Sequence, residues 1–243
     1  MELPKRGEEE FFLTSNRDIA KKMYQKISEK VSKSEETKAE IKAAFEKLFK
    51  NGHAVYLADI EKERLDKFIT KSVQHYLPWS LVWKADSLTT PCRPVFDASK
   101  NTRKRPDGSG GGRSLNDLLC KGRVDTLNLL KMVIRFVIGT FGITGDLQQF
   151  YCCCRLVDEE LNLTRFLYNP DMDPKVEPLE CLFQALIYGL KSASAQTEFM
   201  KKKLAAEIRP EYPELALLLY ESTYVDDKGE SKDTDDAIDR LAD

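Results

Sequence analysis

Two adjacent carboxylates, Asp226 and Asp227, close the tetrapeptide Tyr224-Val225-Asp226-Asp227, where the apolar run from Leu215 to Tyr220 and onward stops. A third acid, Asp146, follows another apolar stretch, Phe136-Val137-Ile138 through Ile143. Carboxylates at the ends of two strands, brought together by the fold, are the donors that hold a pair of divalent cations. Such a pair moves phosphoryl groups in polymerases and nucleases. A four-residue match carries little weight alone. Its company decides.

The elements that must position these acids can be read from periodicity. The first part of the chain is helical and polar. Ser15 or Asn16 is placed to cap a helix through Ile19, Met23, Ile27 and Val31. A second helix follows, with Ser32-Lys33-Ser34-Glu35 as its capping box, Ile41, Ala44, Phe45 and Leu48 as its apolar stripe and Gly52 as its terminator. A third helix is expected from Asp59 past Leu65 and Phe68. From His75 the pattern turns extended. Leu81 to Lys84 and Pro94 to Asp97 read as a small antiparallel layer. Ser114 opens a helix, and Leu127 to Ile138 is a strongly apolar one. Strands are then expected at Gly142–Gly145, Cys152–Leu156, Leu163–Tyr168, Leu182–Tyr188 and Ser222–Asp226. A helix runs from Ser192 through Ile208, with Phe199 and Leu204 on its apolar side and Lys201 to Lys203 exposed. Thr234 to Leu241 resembles a short acidic helix. Mixed elements without strict βαβ alternation predict an α+β fold with antiparallel pairing.

Bulk composition excludes some classes. With 243 residues, the chain has enough material for a sizeable core. No apolar run reaches the roughly 18 residues of a spanning helix. The start, Met1 to Glu10, lacks the apolar segment of a signal peptide. The expectation is therefore no membrane partner and an intracellular, cytoplasmic location, with intracellular particles or the nucleus as alternatives. Basic and acidic residues number 38 and 40, so net charge does not advertise a nucleic-acid binder. The Gly-Ser-rich stretch Lys100 to Arg113 is locally basic; a mobile phosphate-meeting loop and a solvated surface loop fit it equally. None of the six cysteines forms a CxxC pair and there are only two histidines, which argues against zinc. Cys152-Cys153-Cys154 reads as small apolar fillers on a strand.

Six ordered blocks then carry a resemblance: Tyr76-Leu77-Pro78, Arg93 to Ser99, Ser114 to Asp117, Thr144 to Tyr151, Tyr188 to Ala193 and Tyr224 to Asp227. In order and separation they resemble the reverse transcriptase of long-terminal-repeat retrotransposons, most closely the Bel-Pao group. The likeness covers the chain from about Leu13 onward. It implies an RNA-directed DNA polymerase whose palm is an antiparallel sheet backed by helices, joined to a fingers subdomain. The implied division is a helical extension over 1–74, fingers over 75–140 and palm over 141–243.

The resemblance also implies roles. Asp146, Asp226 and Asp227, with the backbone of Leu147, would hold two Mg²⁺ ions, which Mn²⁺ can replace. One ion would lower the pKa of the primer 3′-hydroxyl and the other would stabilise the leaving pyrophosphate. Tyr151 matches the aromatic under the incoming sugar, a ring that would clash with a 2′-hydroxyl; a plain core tyrosine is the alternative. Arg93 matches the arginine that clasps the triphosphate, since a guanidinium binds phosphate oxygens in pairs. Lys84 would be a second phosphate contact, or equally a surface lysine, and Asp97 would orient nearby backbone. Tyr188 and Gly189 match the block that closes over the nascent base pair. The implied partners are a primed RNA or DNA template and deoxynucleoside triphosphates.

Three departures stand out. The chain ends 16 residues past Asp227 (243 − 227), where family members continue into a thumb, RNase H and integrase, so a polyprotein fragment truncated before the thumb is expected. Lys228 stands where an apolar residue is usual, and the cysteine triplet where polar or β-branched residues are. A catalytically silent relic that binds nucleic acid or a protein partner is the alternative function. A two-metal nuclease is disfavoured, because it would need a fourth acid or a histidine beside the cluster, and His53 and His75 both lie in the N-terminal half.

Overall fold

The computed structural model describes residues 1–5, 13–68, 73–83, 92–104, 112–123 and 127–233. In chain order these form α1 (Arg17–Val31), α2 (Glu35–Lys50), β1 (Ala54–Tyr56), α3 (Lys62–Phe68), β2 (Trp79–Trp83), β3 (Cys92–Phe96) and α4 (Leu115–Leu118). They continue with α5 (Leu129–Ile138), β4 (Phe141–Asp146), β5 (Arg165–Tyr168), β6 (Leu179–Phe183), α6 (Ala193–Ile208), α7 (Pro213–Glu221), β7 (Thr223–Tyr224) and β8 (Asp227–Lys232). All strand pairing is antiparallel, in sheets ordered β1-β6-β5, β2-β3 and β4-β8-β7. The chain is an α+β protein in which helices accompany antiparallel sheets. No helix among the described residues is long and apolar enough to cross a membrane.

Two compact units arise, each from two separated stretches of chain. The first comprises Met1–Cys120 with Arg155–Ser192, and the second Lys121–Cys154 with Ala193–Asp243.

The first unit is organised around aromatic rings. Phe45 of α2 stacks on Tyr168 of β5 at 3.9 Å between ring centroids and meets Trp79 edge-on at 4.9 Å. Phe96 and Phe183 cross at 4.6 Å. Rings of this size bury large apolar areas and prefer these offset and edge geometries. Strand β5 is buried along its whole length.

A polar network runs through the same core. The buried Arg165 guanidinium donates to Asn162 Oδ1 at 2.6 and 3.0 Å and to Glu180 Oε2 at 2.8 Å. The Tyr76 hydroxyl and the Arg17 guanidinium also donate to Glu180, at 2.8 and 2.9 Å. Burial alone would raise the Glu180 carboxyl, but the Arg17 and Tyr76 hydrogen bonds and the Arg165 charge outweigh it and hold it below its ordinary value.

His75, fully buried, lies beside this network. Its Nδ1 meets Leu163 O at 3.3 Å and its Nε2 meets Asn16 Nδ2 at 3.5 Å, so the neutral tautomer with the proton on Nδ1 satisfies both. Burial lowers its pKa to about 4, with the Leu163 carbonyl opposing the fall.

Some local expectations are corrected. Asn16 precedes α1 but makes no side-chain cap. Its amide instead brackets Tyr76, donating to Tyr76 O and accepting from Tyr76 N, each at 2.7 Å. Helix α2 starts two residues later than Ser32 implies, because Ser34 is the residue whose hydroxyl accepts Thr37 N–H. Ser114 does open α4 with a complete capping box to Asp117. Cys152 to Leu156 is not a strand: Phe150–Cys153 is a 3-10 turn entered through Gln149 at φ +56°, with Cys152 and Cys154 buried and Cys153 exposed. The acidic segment from Thr234 and the centre of the basic loop, 105–111, lie outside the described residues.

The second unit pairs α6 with α7 over Ala205, Ala216 and Leu219, joined by Leu147 and Ile208. Helix α5 lies on the β4-β8-β7 sheet. The missing side chains of Gly142 and Gly229 make room for Phe136 and Met132, since a Cβ at either glycine would come within 2.8 Å of those rings and methyls. The remaining apolar residues of α5, among them Leu130, Val137 and Ile138, face outward.

Candidate metal centre

The antiparallel register of β4 and β8 sets Asp146 directly opposite Asp227 at the end of the ladder. Strand β7 is short and pairs Tyr224 with Asp227, so Val225 and Asp226 form the connecting turn. The apolar run ahead of it is the helix α7, opened by Pro213 at its first turn, and the chain turns sharply into β7 through Thr223, whose hydroxyl donates to Leu218 O. Leu147 N–H donates to Asp226 O at 2.8 Å and ties the turn to the exit of β4.

One carboxylate oxygen from each of Asp146, Asp226 and Asp227 lies within 4.8 Å of the others. Asp226 is half-buried and the other two are exposed. This donor set is hard and all-oxygen. Its exposed side leaves room for water and phosphate oxygens, the coordination that Mg²⁺ prefers. The residues present therefore fit a divalent cation of that class.

Val225 adopts φ +56°, a left-handed conformation that is uncommon for a β-branched residue. A cation supports the turn from below. Lys201 of α6 is only 6% exposed, and its ammonium donates to Thr223 O at 3.0 Å, to Val225 O at 3.5 Å and to Glu198 Oε1 at 2.9 Å. Sequence periodicity puts this face of α6 outside, with Phe199 and Leu204 within. The arrangement is the reverse: Phe199 is 64% and Leu204 47% exposed. Within Lys201-Lys202-Lys203 nothing in sequence marks the first lysine. The only signal is the i,i+3 spacing of Glu198 and Lys201.

Tyr151 belongs to the same unit, buried in the 3-10 turn after β4. Its hydroxyl shares a 2.9 Å hydrogen bond with Ser194 Oγ, which fixes the ring.

The other residues singled out in sequence belong to the first unit. Arg93 is on β3 opposite Val82, on the exposed face of the hairpin with Val95 and Ser80, and has no ion-pair partner among the described residues. Tyr188 is exposed. Gly189 has φ +103°, and a Cβ there would stand 2.5 Å from Phe96 O, so only glycine fits without displacing β3. Asn116 fixes this crossing: its side chain donates to Gly189 O at 2.8 Å and to Ser99 Oγ at 2.9 Å and accepts from Lys191 N–H at 2.8 Å. Asp97 accepts from Ser99 N–H, in keeping with a backbone-orienting role. Lys84 lies outside the described residues.

No protein-family model matches the chain, and no curated protein matches it. Solved structures do. The foamy viral protease-reverse transcriptase in complex with an RNA/DNA hybrid is 17% identical, with a TM-score of 0.55 over 86% of this chain and 22% of that one. The same foamy viral protein in complex with double-stranded DNA is 16% identical, with a TM-score of 0.52 over 84% of this chain and 33% of that one. The native prototype foamy virus enzyme is 16% identical, with a TM-score of 0.51 over 82% of this chain and 20% of that one. The chain thus spans between a fifth and a third of the chains it resembles, and its fold is that of a reverse transcriptase.

Proposed function

We propose that this chain is the fingers-and-palm portion of an RNA-directed DNA polymerase from a Bel-Pao type retrotransposon. The observation that carries the reading is the convergence of Asp146, Asp226 and Asp227 at paired strand ends, in a chain with a reverse-transcriptase-like fold. The reaction is nucleotidyl transfer from a deoxynucleoside triphosphate to a primer 3′-hydroxyl on an RNA or DNA template.

The three carboxylates, with the Leu147 carbonyl, would hold two Mg²⁺ ions. When bound, these supply Lewis-acid activation of the attacking hydroxyl and charge neutralisation at the leaving pyrophosphate. The remaining roles belong to the chain itself. Arg93, exposed and unpaired among the described residues, supplies a planar fork for triphosphate oxygens. Tyr151, held by Ser194, presents an immobile ring that excludes a ribose 2′-hydroxyl. Tyr188 and Gly189 form the surface on which the new base pair rests, with Asn116 fixing the loop. Lys84 is proposed as a second phosphate contact. Retention of all three acids favours this reading over a catalytically silent relic.

Primer extension tests it. With a primed RNA template, deoxynucleotides and Mg²⁺ or Mn²⁺, the protein is expected to extend the primer, and extension should fall with rising salt at a slope set by the number of phosphates it contacts. Asp226→Asn is expected to abolish extension. Activity that survives this change would refute the assignment.

A further inference from the structure

We propose that Lys201, gripped by Glu198, is a positioning residue that sets the Val225–Asp226 peptide and through it the geometry of the acid cluster. The inference rests on reading that cluster as a cation site. An ammonium has three N–H donors, and all three are used: one on Glu198 and two on the carbonyls of Thr223 and Val225, which flank Tyr224. The Phe150 ring lies 5.7 Å from the same nitrogen. Both members of the pair are almost fully buried. A buried ion pair is a poor way to gain stability, since two apolar side chains of similar volume do as well. Its distinctive property is direction.

The Val225 carbonyl belongs to the peptide that leads into Asp226. Fixing that oxygen fixes the plane from which the Asp226 side chain departs. Val225 is held left-handed at φ +56°, a conformation that relaxes unless the surroundings over-determine it. Lys201 grips the turn on one side, and the Leu147 N–H bond to Asp226 O grips it on the other. The acids are thereby arranged before any cation arrives.

The test uses the double variant Lys201→Met/Glu198→Leu, which removes both charges while keeping side-chain bulk, with the exposed Lys203→Met as control. The readouts are melting temperature, Mn²⁺ affinity from the paramagnetic resonance of free Mn²⁺, and amide hydrogen exchange at Leu147 and Gly229. The double variant is expected to melt with the wild type and to bind Mn²⁺ about 10–100-fold more weakly, the range found when groups that orient metal ligands are removed. Both amides should exchange faster, and the control should change neither quantity. Unchanged exchange in the folded double variant, with Mn²⁺ binding unaltered or undetectable throughout, would overturn the proposal. Faster exchange in a protein that binds no Mn²⁺ even as wild type would refute the cation site and uphold the clamp. If the double variant does not fold, Glu198→Gln decides: it leaves the ammonium on its carbonyls and should retain Mn²⁺ affinity, and a loss there would overturn the proposal.

Discussion

Three carboxylates that share a few ångströms oppose the fold that gathers them, so removing one should stabilise the cation-free protein while destroying its response to metal. The perturbation is Asp146→Asn, which leaves the backbone pairing of Asp146 with Asp227 intact. At the 4.8 Å that bounds the cluster, each pair of unit charges repels by about 0.9 kcal/mol at the dielectric of water. The variant removes two of the three pairs, so the gain is about 2 kcal/mol at low ionic strength. Exposure of Asp146 keeps the water dielectric appropriate, and salt screens the effect over a Debye length of about 10 Å at 0.1 M and about 3 Å at 1 M. For a chain of this size, about 2–4 °C accompanies each kcal/mol. Thermal unfolding in chelator at low salt should therefore place Asp146→Asn up to about 8 °C above the wild type, with the gap closing at 1 M salt. Adding Mg²⁺ or Mn²⁺ should raise the wild type by linkage and leave the variant nearly unmoved, which reverses the order. A variant no more stable than the wild type in chelator, with an equal rise on adding metal, would refute the reasoning.

Other outcomes follow from the first unit. His75 is neutral in the fold with a pKa of about 4 against an ordinary value of 6.5, so its contribution is complete above pH 6.5 and is lost as pH falls toward 4. Urea unfolding of the wild type should lose on the order of 3 kcal/mol more than His75→Gln across that interval. Arg165→Met leaves Glu180 with Arg17 and Tyr76 but removes both guanidinium donors from the buried Asn162 Oδ1, and should cost about 1–3 kcal/mol, measured by the same urea unfolding. Gly189→Ala combines a left-handed φ with the approach to Phe96 O and should cost at least about 2 kcal/mol; an unchanged midpoint would mean that the loop yields freely.

The legible parts of this chain were those in which local chemistry and fold agree. The β2-β3 hairpin, the helix start at Ser114 and the strand ending at Asp146 all follow from local sequence pattern. The meeting of Asp146 with Asp226 and Asp227 was expected from ordered motifs rather than from periodicity, and strand register brings it about. Where reading failed, a long-range partner had overridden a local preference. Asn16 gives up its capping bond to bracket the backbone of Tyr76, 60 positions away. Lys201 leaves the solvated face for carbonyls 22 and 24 positions on. Phe199 and Leu204 face outward on the same helix for the complementary reason. The cysteine triplet reads as part of a strand, but Gln149 turns the chain left-handed just before it.

The interleaving of the two units bears on how the chain is made. Strand β1 finds β6 across 129 positions (183 − 54), so this closure is a distant event with a large entropic barrier. As the polypeptide leaves the ribosome, Phe45, Trp79 and Phe96 emerge long before Phe166, Tyr168 and Phe183, the rings that complete their cluster. For that interval the amino-terminal half presents an open aromatic surface, the kind of species that chaperones capture and that aggregates without them. Slow synthesis between residues 120 and 192 would prolong this exposure, and a chain stopped within that stretch should be insoluble although its first three helices are intact.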